Sequence, residues 1–294
     1  ARVNTAYSSA EAKRKGGGIV LANAVVKKVV NHTIDYTIRI DFDGFVETID
    51  ILGGVDINIQ GTFDDCQKLV KQAFLDKELR KEVVLASANS INIARLLPQS
   101  FYYVYLCAQL SKKGLPIVIS VPSGNFGNLT AGIIAKRMGA PISKFVASTN
   151  SNDIVPKYLD TGNFQPKSSV STISNAMDVG NPSNFSRMLE LYENNVAEMR
   201  KDIYGASFSD VATRDAISNV FKKYHYIMDP HGAVAYLGLL DFVNKFEGYA
   251  GVFLETAHPA KFFEEVEKVV KEPVPMPNRL KSYLAREKRA TLLN

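Results

Sequence analysis

Val121-Pro122-Ser123-Gly124-Asn125-Phe126-Gly127-Asn128-Leu129-Thr130-Ala131-Gly132 reads as a strand running into a glycine-rich turn that opens a helix. The strand, residues 115–121, is apolar and β-branched and closes at Pro122. The helix is expected to start at Asn128 and to continue through Ile133, Ile134 and Met138. Between them, Gly124 and Gly127 are expected to take backbone angles closed to other residues, so that successive N–H groups converge on an anion at the positive end of the helix. Ser123, Asn125, Phe126 and Asn128 complete the loop, and the two asparagines are expected to add side-chain donors.

This turn matches neither common nucleotide-binding pattern. A P-loop needs a lysine and a hydroxyl residue after its second glycine, and no lysine follows here before Lys136. The GxGxxG dinucleotide fingerprint, with an acidic residue about twenty positions on, is also absent. A phosphate gripped by backbone amides and asparagine, without metal or lysine, suits a monophosphate ester. Pyridoxal 5′-phosphate is the leading candidate.

Outward from the loop, strands and helices alternate. Residues 55–59 suggest a short strand. Thr62, with Asp65 three residues on, suggests the cap of a helix whose apolar face is Cys66, Leu69, Val70, Ala73 and Phe74. Residues 83–88 read as a strand, and residues 91–110 as a long helix kinked or restarted at Pro98. Residues 144–149 read as another strand. Residues 151–186, rich in Ser, Asn, Pro and Gly, read as an excursion over a site rim with two short helices. Helices follow at 185–200, 210–224 and 232–246, then a last strand at 251–254. The pattern predicts an α/β fold, a mainly parallel sheet with helices on both faces and ligands at the carboxyl ends of strands.

The chain has 294 residues, 46% of them hydrophobic, enough for a substantial core. It contains no apolar run of about eighteen residues, the minimum for a membrane span, and its start lacks a signal-peptide layout. Cys66 and Cys107 have no metal spacing and read as buried thiols of a reduced, cytoplasmic protein. The net charge of +5 is spread among interspersed acids and bases, as in Glu264-Glu265-Val266-Glu267-Lys268. That distribution excludes the concentrated basic stripe of a nucleic-acid binder. His231 and His258 read as structural turn residues.

Six motifs together resemble threonine synthase: Gly61-Thr62-Phe63-Asp64-Asp65-Cys66, Asn89-Ser90-Ile91-Asn92-Ile93-Ala94-Arg95, Ser123 to Asn128, Ala147-Ser148-Thr149-Asn150-Ser151-Asn152-Asp153-Ile154, Asp229-Pro230-His231-Gly232-Ala233 and Thr256-Ala257-His258-Pro259-Ala260-Lys261-Phe262. They stand in the family's order and cover about residues 57–294. The resemblance implies fold type II architecture, like the tryptophan synthase β chain, and pyridoxal phosphate as cofactor. It implies conversion of O-phospho-L-homoserine and water into L-threonine and phosphate.

The resemblance also implies roles for particular residues. Ser123, Gly124, Asn125, Phe126, Gly127 and Asn128 would grip the cofactor phosphate, and the Thr256 hydroxyl would face the pyridine nitrogen. Asn89, Ser90 and Arg95 would hold the substrate phosphate. Residues 57–112 would belong to the smaller, substrate-side domain and 113–294 to the large cofactor-phosphate domain. The family's cofactor-bonding lysine, in a Lys-Asp context, and its Ser-Gly-Asp-Thr-Gly-like loop would lie upstream, but neither motif occurs in residues 1–56. Those residues match nothing in the family pattern, and 35–50 read as a β-hairpin around Asp43-Gly44. No catalytic residue is assigned, and a relative that binds a phosphate ester or the cofactor without turnover is the alternative.

Overall fold

A computed structural model describes residues 57–59, 63–82, 85, 90–110, 114–284 and 291–293. Chain contacts divide it into a compact unit Ile59–Lys288 and a second one made of Ala1–Asn58 with Arg289–Asn294. The 35–50 hairpin, the Thr62 cap and nearly all of the 83–88 strand lie outside the described residues.

In chain order, β1 (Ile57–Ile59) is followed by α1 (Phe63–Leu75), α2 (Leu79–Glu82) and α3 (Ile93–Leu96). A 3-10 turn at Leu97–Gln99 then leads into α4 (Ser100–Leu110). Pro98 sits in that turn, where its missing N–H and ring interrupt the helix as expected. The central succession is β2 (Ile117–Pro122), α5 (Gly127–Arg137), β3 (Ile142–Thr149) and α6 (Ile154–Thr161). Next come α7 (Phe185–Leu191), α8 (Val196–Asp202) and β4 (Ile203–Ser207). The succession ends with α9 (Asp210–Tyr224), α10 (Pro230–Lys245), β5 (Ala250–Phe253), α11 (Phe263–Val270), α12 (Asn278–Leu284) and β6 (Thr291–Leu293). β1 and β6 form a two-stranded sheet.

The main sheet has the order β4-β3-β2-β5 and every pairing is parallel. β2 is buried along its whole length, which explains its unbroken apolar run. Alternate residues serve opposite faces. Ile119, Val121, Phe145 and Ala147 join Leu129 and Ile133 of α5, Tyr103 and Cys107 of α4, and Val155 and Leu159 of α6. Val118, Val146 and Ala206 pack with Phe242 of α10 on the other face. α9 and α11 cover the far side of α10 through Ile217, Val220, Ala233, Val266 and Val270.

Polar groups fix α10 on the sheet as firmly as apolar ones. Ser120 Oγ lies 2.8 Å from Ser148 Oγ and donates to the Ala235 carbonyl at 2.6 Å. Gly238 is required for that approach, because a Cβ there would stand 1.9 Å from Ser148 Oγ. β4, not anticipated from the sequence, extends the sheet at one edge, and its Gly205 makes room for Pro156, whose Cα would be 2.8 Å from an added Cβ. Among the described residues no helix is long and apolar enough to cross a membrane.

Candidate functional site

A cavity of about 720 Å³ opens at the carboxyl ends of β2 and β5, lined by the 124–128 loop, Ser90, His231, Glu255 and Thr256 among others. The strand–loop–helix junction forms where the sequence placed it. Ser123 N–H donates to the Ser148 carbonyl at 2.8 Å and keeps the loop in register with β3. The N–H groups of Gly124, Asn125, Phe126, Gly127 and Asn128 donate to no acceptor among the described residues. Five consecutive donors at the start of α5 are left for an anion, and the helix dipole favours one.

The reason for the glycines differs from the expected one. The left-handed residue of the turn is Phe126, at φ 61° and ψ 15°, while neither Gly124 nor Gly127 has positive φ. A bulky residue held there is unusual backbone. Its side chain is buried in the core under α5, and that packing holds the conformation. The glycines are needed for close approach. A Cβ on Gly124 would lie 2.6 Å from Met177 Cα, and one on Gly127 would lie 2.7 Å from Ser90 Cβ.

The polar side chains of the loop are braces. Asn128 donates to the Pro122 carbonyl at 2.8 Å, and Asn125 accepts from Ser183 N–H at 2.6 Å and from its hydroxyl at 2.9 Å. Ser123 turns its hydroxyl back to the Val121 carbonyl at 2.9 Å. The asparagine side chains, expected as anion donors, instead brace the loop.

Ser90 lies against this loop. Its Oγ accepts from Asn184 Nδ2 at 2.9 Å and from Asn125 Nδ2 at 3.3 Å. Arg187, which sequence reasoning missed, holds the turn by donating to the carbonyls of Ser90, at 3.0 Å, and Ile91, and to the Asn184 side chain. Arg95 stands exposed on α3, away from the cavity lining, and Asn89 lies outside the described residues. Thr256 is exposed at the cavity wall, with no hydrogen-bond partner among the described residues. His258 is structural, as expected: its Nδ1 accepts from Ala260 N–H at 3.1 Å. Cys107 is buried and Cys66 half-buried, and both are free thiols.

The wall beside Thr256 is acidic. Asp229 caps α10 by accepting from His231 N–H at 2.9 Å, with Pro230 at the first helical turn. Burial and the Asp229 carboxylate push the Glu255 carboxyl up to about 8, so Glu255 keeps its proton at neutral pH. The donor set fits pyridoxal phosphate: unspent amides at a helix start for the phosphate, and a hydroxyl on the adjacent strand end for the ring.

The sequence matches the family described as "Pyridoxal-phosphate dependent enzyme" over residues 4–254, a span that reaches upstream of the motifs above. It matches "Threonine synthase, C-terminal" over residues 233–294. The threonine synthase of Haemophilus influenzae is 52% identical over 225 residues, which are 76% of this chain and 52% of that protein. The crystal structure of Escherichia coli threonine synthase superposes with a TM-score of 0.76 at 44% identity, over 81% of this chain and 55% of that one. A pyridoxal-phosphate-bound threonine synthase from Brucella melitensis gives 0.71 at 32% identity, over 81% and 56%. The chain thus spans about half the length of the curated relatives it matches. Its parallel sheet, its amide-lined loop at the end of β2 and its match across residues 4–254 lead to one assignment: the chain belongs to the pyridoxal-phosphate dependent enzyme family.

Proposed function

We propose that this chain is the cofactor-phosphate-binding portion of a threonine synthase, which converts O-phospho-L-homoserine and water to L-threonine and phosphate in a reducing, cytoplasmic compartment. The observation that carries this reading is the run of five unspent N–H groups from Gly124 to Asn128 in a cavity shared with Ser90 and Thr256. The amides hold the cofactor phosphate, as helix starts hold anions generally. The Thr256 hydroxyl engages the ring nitrogen without imposing a full negative charge on it. Ser90, with Asn89 and Arg95 on the same segment, takes the phosphate of the substrate. Once bound, the pyridoxal group supplies the electron sink that stabilises carbanions next to the amino group.

A second reading is favoured by one observation: no lysine lines the cavity among the described residues, and residues 1–56 carry no Lys-Asp motif. In that reading the chain binds the cofactor or a phosphate ester without turnover. Equilibrium dialysis with pyridoxal phosphate, followed by borohydride reduction and mass spectrometry, separates the two. A covalent lysine adduct assigns the amine to this chain and overturns the second reading, reversible binding without an adduct shows that this chain alone binds without turnover, and no uptake by the purified chain overturns both.

A further inference from the structure

The start of α10 and the end of β5 carry chemistry that the phosphate loop does not use. His231 Nδ1 lies 2.7 Å from Asp229 Oδ1, a pairing that fixes the ring. The side chain is only 5% exposed, and its ring centre lies 4.8 Å from that of Phe262. Nε2 is buried without a hydrogen-bond partner among the described residues, although His231 lines the cavity. Glu255 presses on the first turn of α10 so closely that a Cβ on Gly232 would stand 2.3 Å from its Oε1. That oxygen too is buried and unpartnered among the described residues. Buried polar atoms normally keep a partner, and a pair left without one on a cavity wall marks a place for polar atoms of a ligand.

We propose that His231, oriented by Asp229 and flanked by Glu255, contacts the polar edge of a heteroaromatic ring bound in the cavity directly through Nε2, beside Thr256. This rests on the pyridoxal-phosphate reading and deepens it. The loop fixes the phosphate end, and this wall fixes the ring end. Charge on the wall depends on Glu255, whose carboxyl is held up to about 8 by burial and by Asp229. Tyr226 faces the same two carboxyls, and its phenol is raised by burial and by both of them. Loss of the Glu255 proton above that pH adds negative charge beside an anionic ligand and disfavours it.

The test compares binding of pyridoxal phosphate and of inorganic phosphate to the whole chain and to its His231→Ala, His231→Gln and Glu255→Gln variants. His231→Ala is expected to weaken pyridoxal phosphate roughly tenfold, the effect of one lost buried hydrogen bond, and to leave inorganic phosphate within about twofold. His231→Gln should recover part of the loss, and Glu255→Gln should remove the weakening of pyridoxal phosphate binding between about pH 7 and pH 9. In the unsubstituted chain, the His231 Nε2 resonance in nitrogen-15 NMR should move on adding pyridoxal phosphate and stay put with inorganic phosphate, a readout that needs no variant to fold. Pyridoxal phosphate affinity unchanged in His231→Ala, with a static Nε2 resonance, overturns the contact alone. Equal loss of both probes, again with a static resonance, shows a structural role and also overturns it. Uptake of inorganic phosphate without pyridoxal phosphate overturns the cofactor reading and the contact with it.

Discussion

Arg187 holds Ser90 in place from 97 positions along the chain, donating from its guanidinium to the Ser90 carbonyl at 3.0 Å and also to the next carbonyl, that of Ile91. Arg187 is only half-buried, so water replaces part of what its carbonyl partners lose, and removing this charged donor costs about what one charge-assisted hydrogen bond contributes, about 1.5–3 kcal/mol. Arg187→Ala should therefore lower stability by about 2 kcal/mol and loosen the Ser90 turn. Arg187→Lys should not restore it, because one ammonium lacks the planar fork that spans two acceptors. Thermal unfolding of the three proteins checks this, and equal melting temperatures would sink it.

Gly127 is closed to any side chain by Ser90 rather than by backbone angle. The added Cβ of Gly127→Ala would meet Ser90 Cβ at 2.7 Å and Oγ at 2.8 Å. Alanine normally helps a helix by up to about 1 kcal/mol, but overpacking of this kind costs about 1–3 kcal/mol, so the steric term wins. The expected result is a destabilised chain with weaker pyridoxal phosphate binding. A melting temperature at or above that of the parent would show that the turn yields.

Glu255 gives stability a distinctive pH dependence. Its folded carboxyl titrates near 8, above the usual carboxylate range. Between about pH 4.5 and 8 the folded state therefore holds a proton that the unfolded state has released. Its contribution is fully present below the unfolded value and is lost as pH rises through 8. After discounting for partial exposure, the effect is on the order of 1–2 kcal/mol. Glu255→Gln should flatten the slope and melt a few degrees higher than the parent at pH 8.5. Parallel melting curves from pH 5 to 8.5 would contradict it.

Arg95 tests whether one anion site or two exist. It is exposed on α3, so Arg95→Ala should change stability by less than about 0.5 kcal/mol and leave pyridoxal phosphate affinity intact. Under the synthase reading the same variant weakens O-phosphohomoserine, by about 1 kcal/mol or less for a solvated charge. Calorimetric titration with each ligand decides, and equal loss of both would merge the two sites into one.

Residues 1–56 carry no Lys-Asp motif, and exchange of substrate onto the cofactor needs an amine to carry protons. The chain by itself should therefore release phosphate from O-phosphohomoserine no faster than free pyridoxal phosphate does. A clear excess over that control would assign the amine to a lysine of this chain, and substituting Lys27 and Lys28 in turn would locate it.

Local signals made most of the architecture legible. The β2 strand, its loop and α5 fall within two residues of the expected bounds, because a buried parallel strand, a glycine turn and a helix start each announce themselves over a few residues. β4 escaped because Ile203–Ser207 follows α8 without a loop and carries a glycine whose reason, Pro156, lies in another helix. The left-handed Phe126 was illegible for the opposite reason: propensity assigns that backbone to glycine, and only burial in the core overrides it. Arg187 sits in an ordinary amphipathic helix with partners almost a hundred residues upstream. Asp229 and Glu255 likewise meet only because α10 returns the chain to β5.

The hydroxyl of Ser120 reaches the Ala235 carbonyl two residues below the end of β2 and one helical turn beyond His231. The strand that leads into the 124–128 loop and the helix that carries His231 are thus pinned to each other beneath the cavity. α10 has no freedom to slide along the sheet without breaking a buried bond and driving Gly238 off Ser148. The spacing between strand and helix beneath the cavity is in effect a machined gap, gauged by a serine: Ser120 and Ser148 fill it and leave no room for a side chain at Gly238.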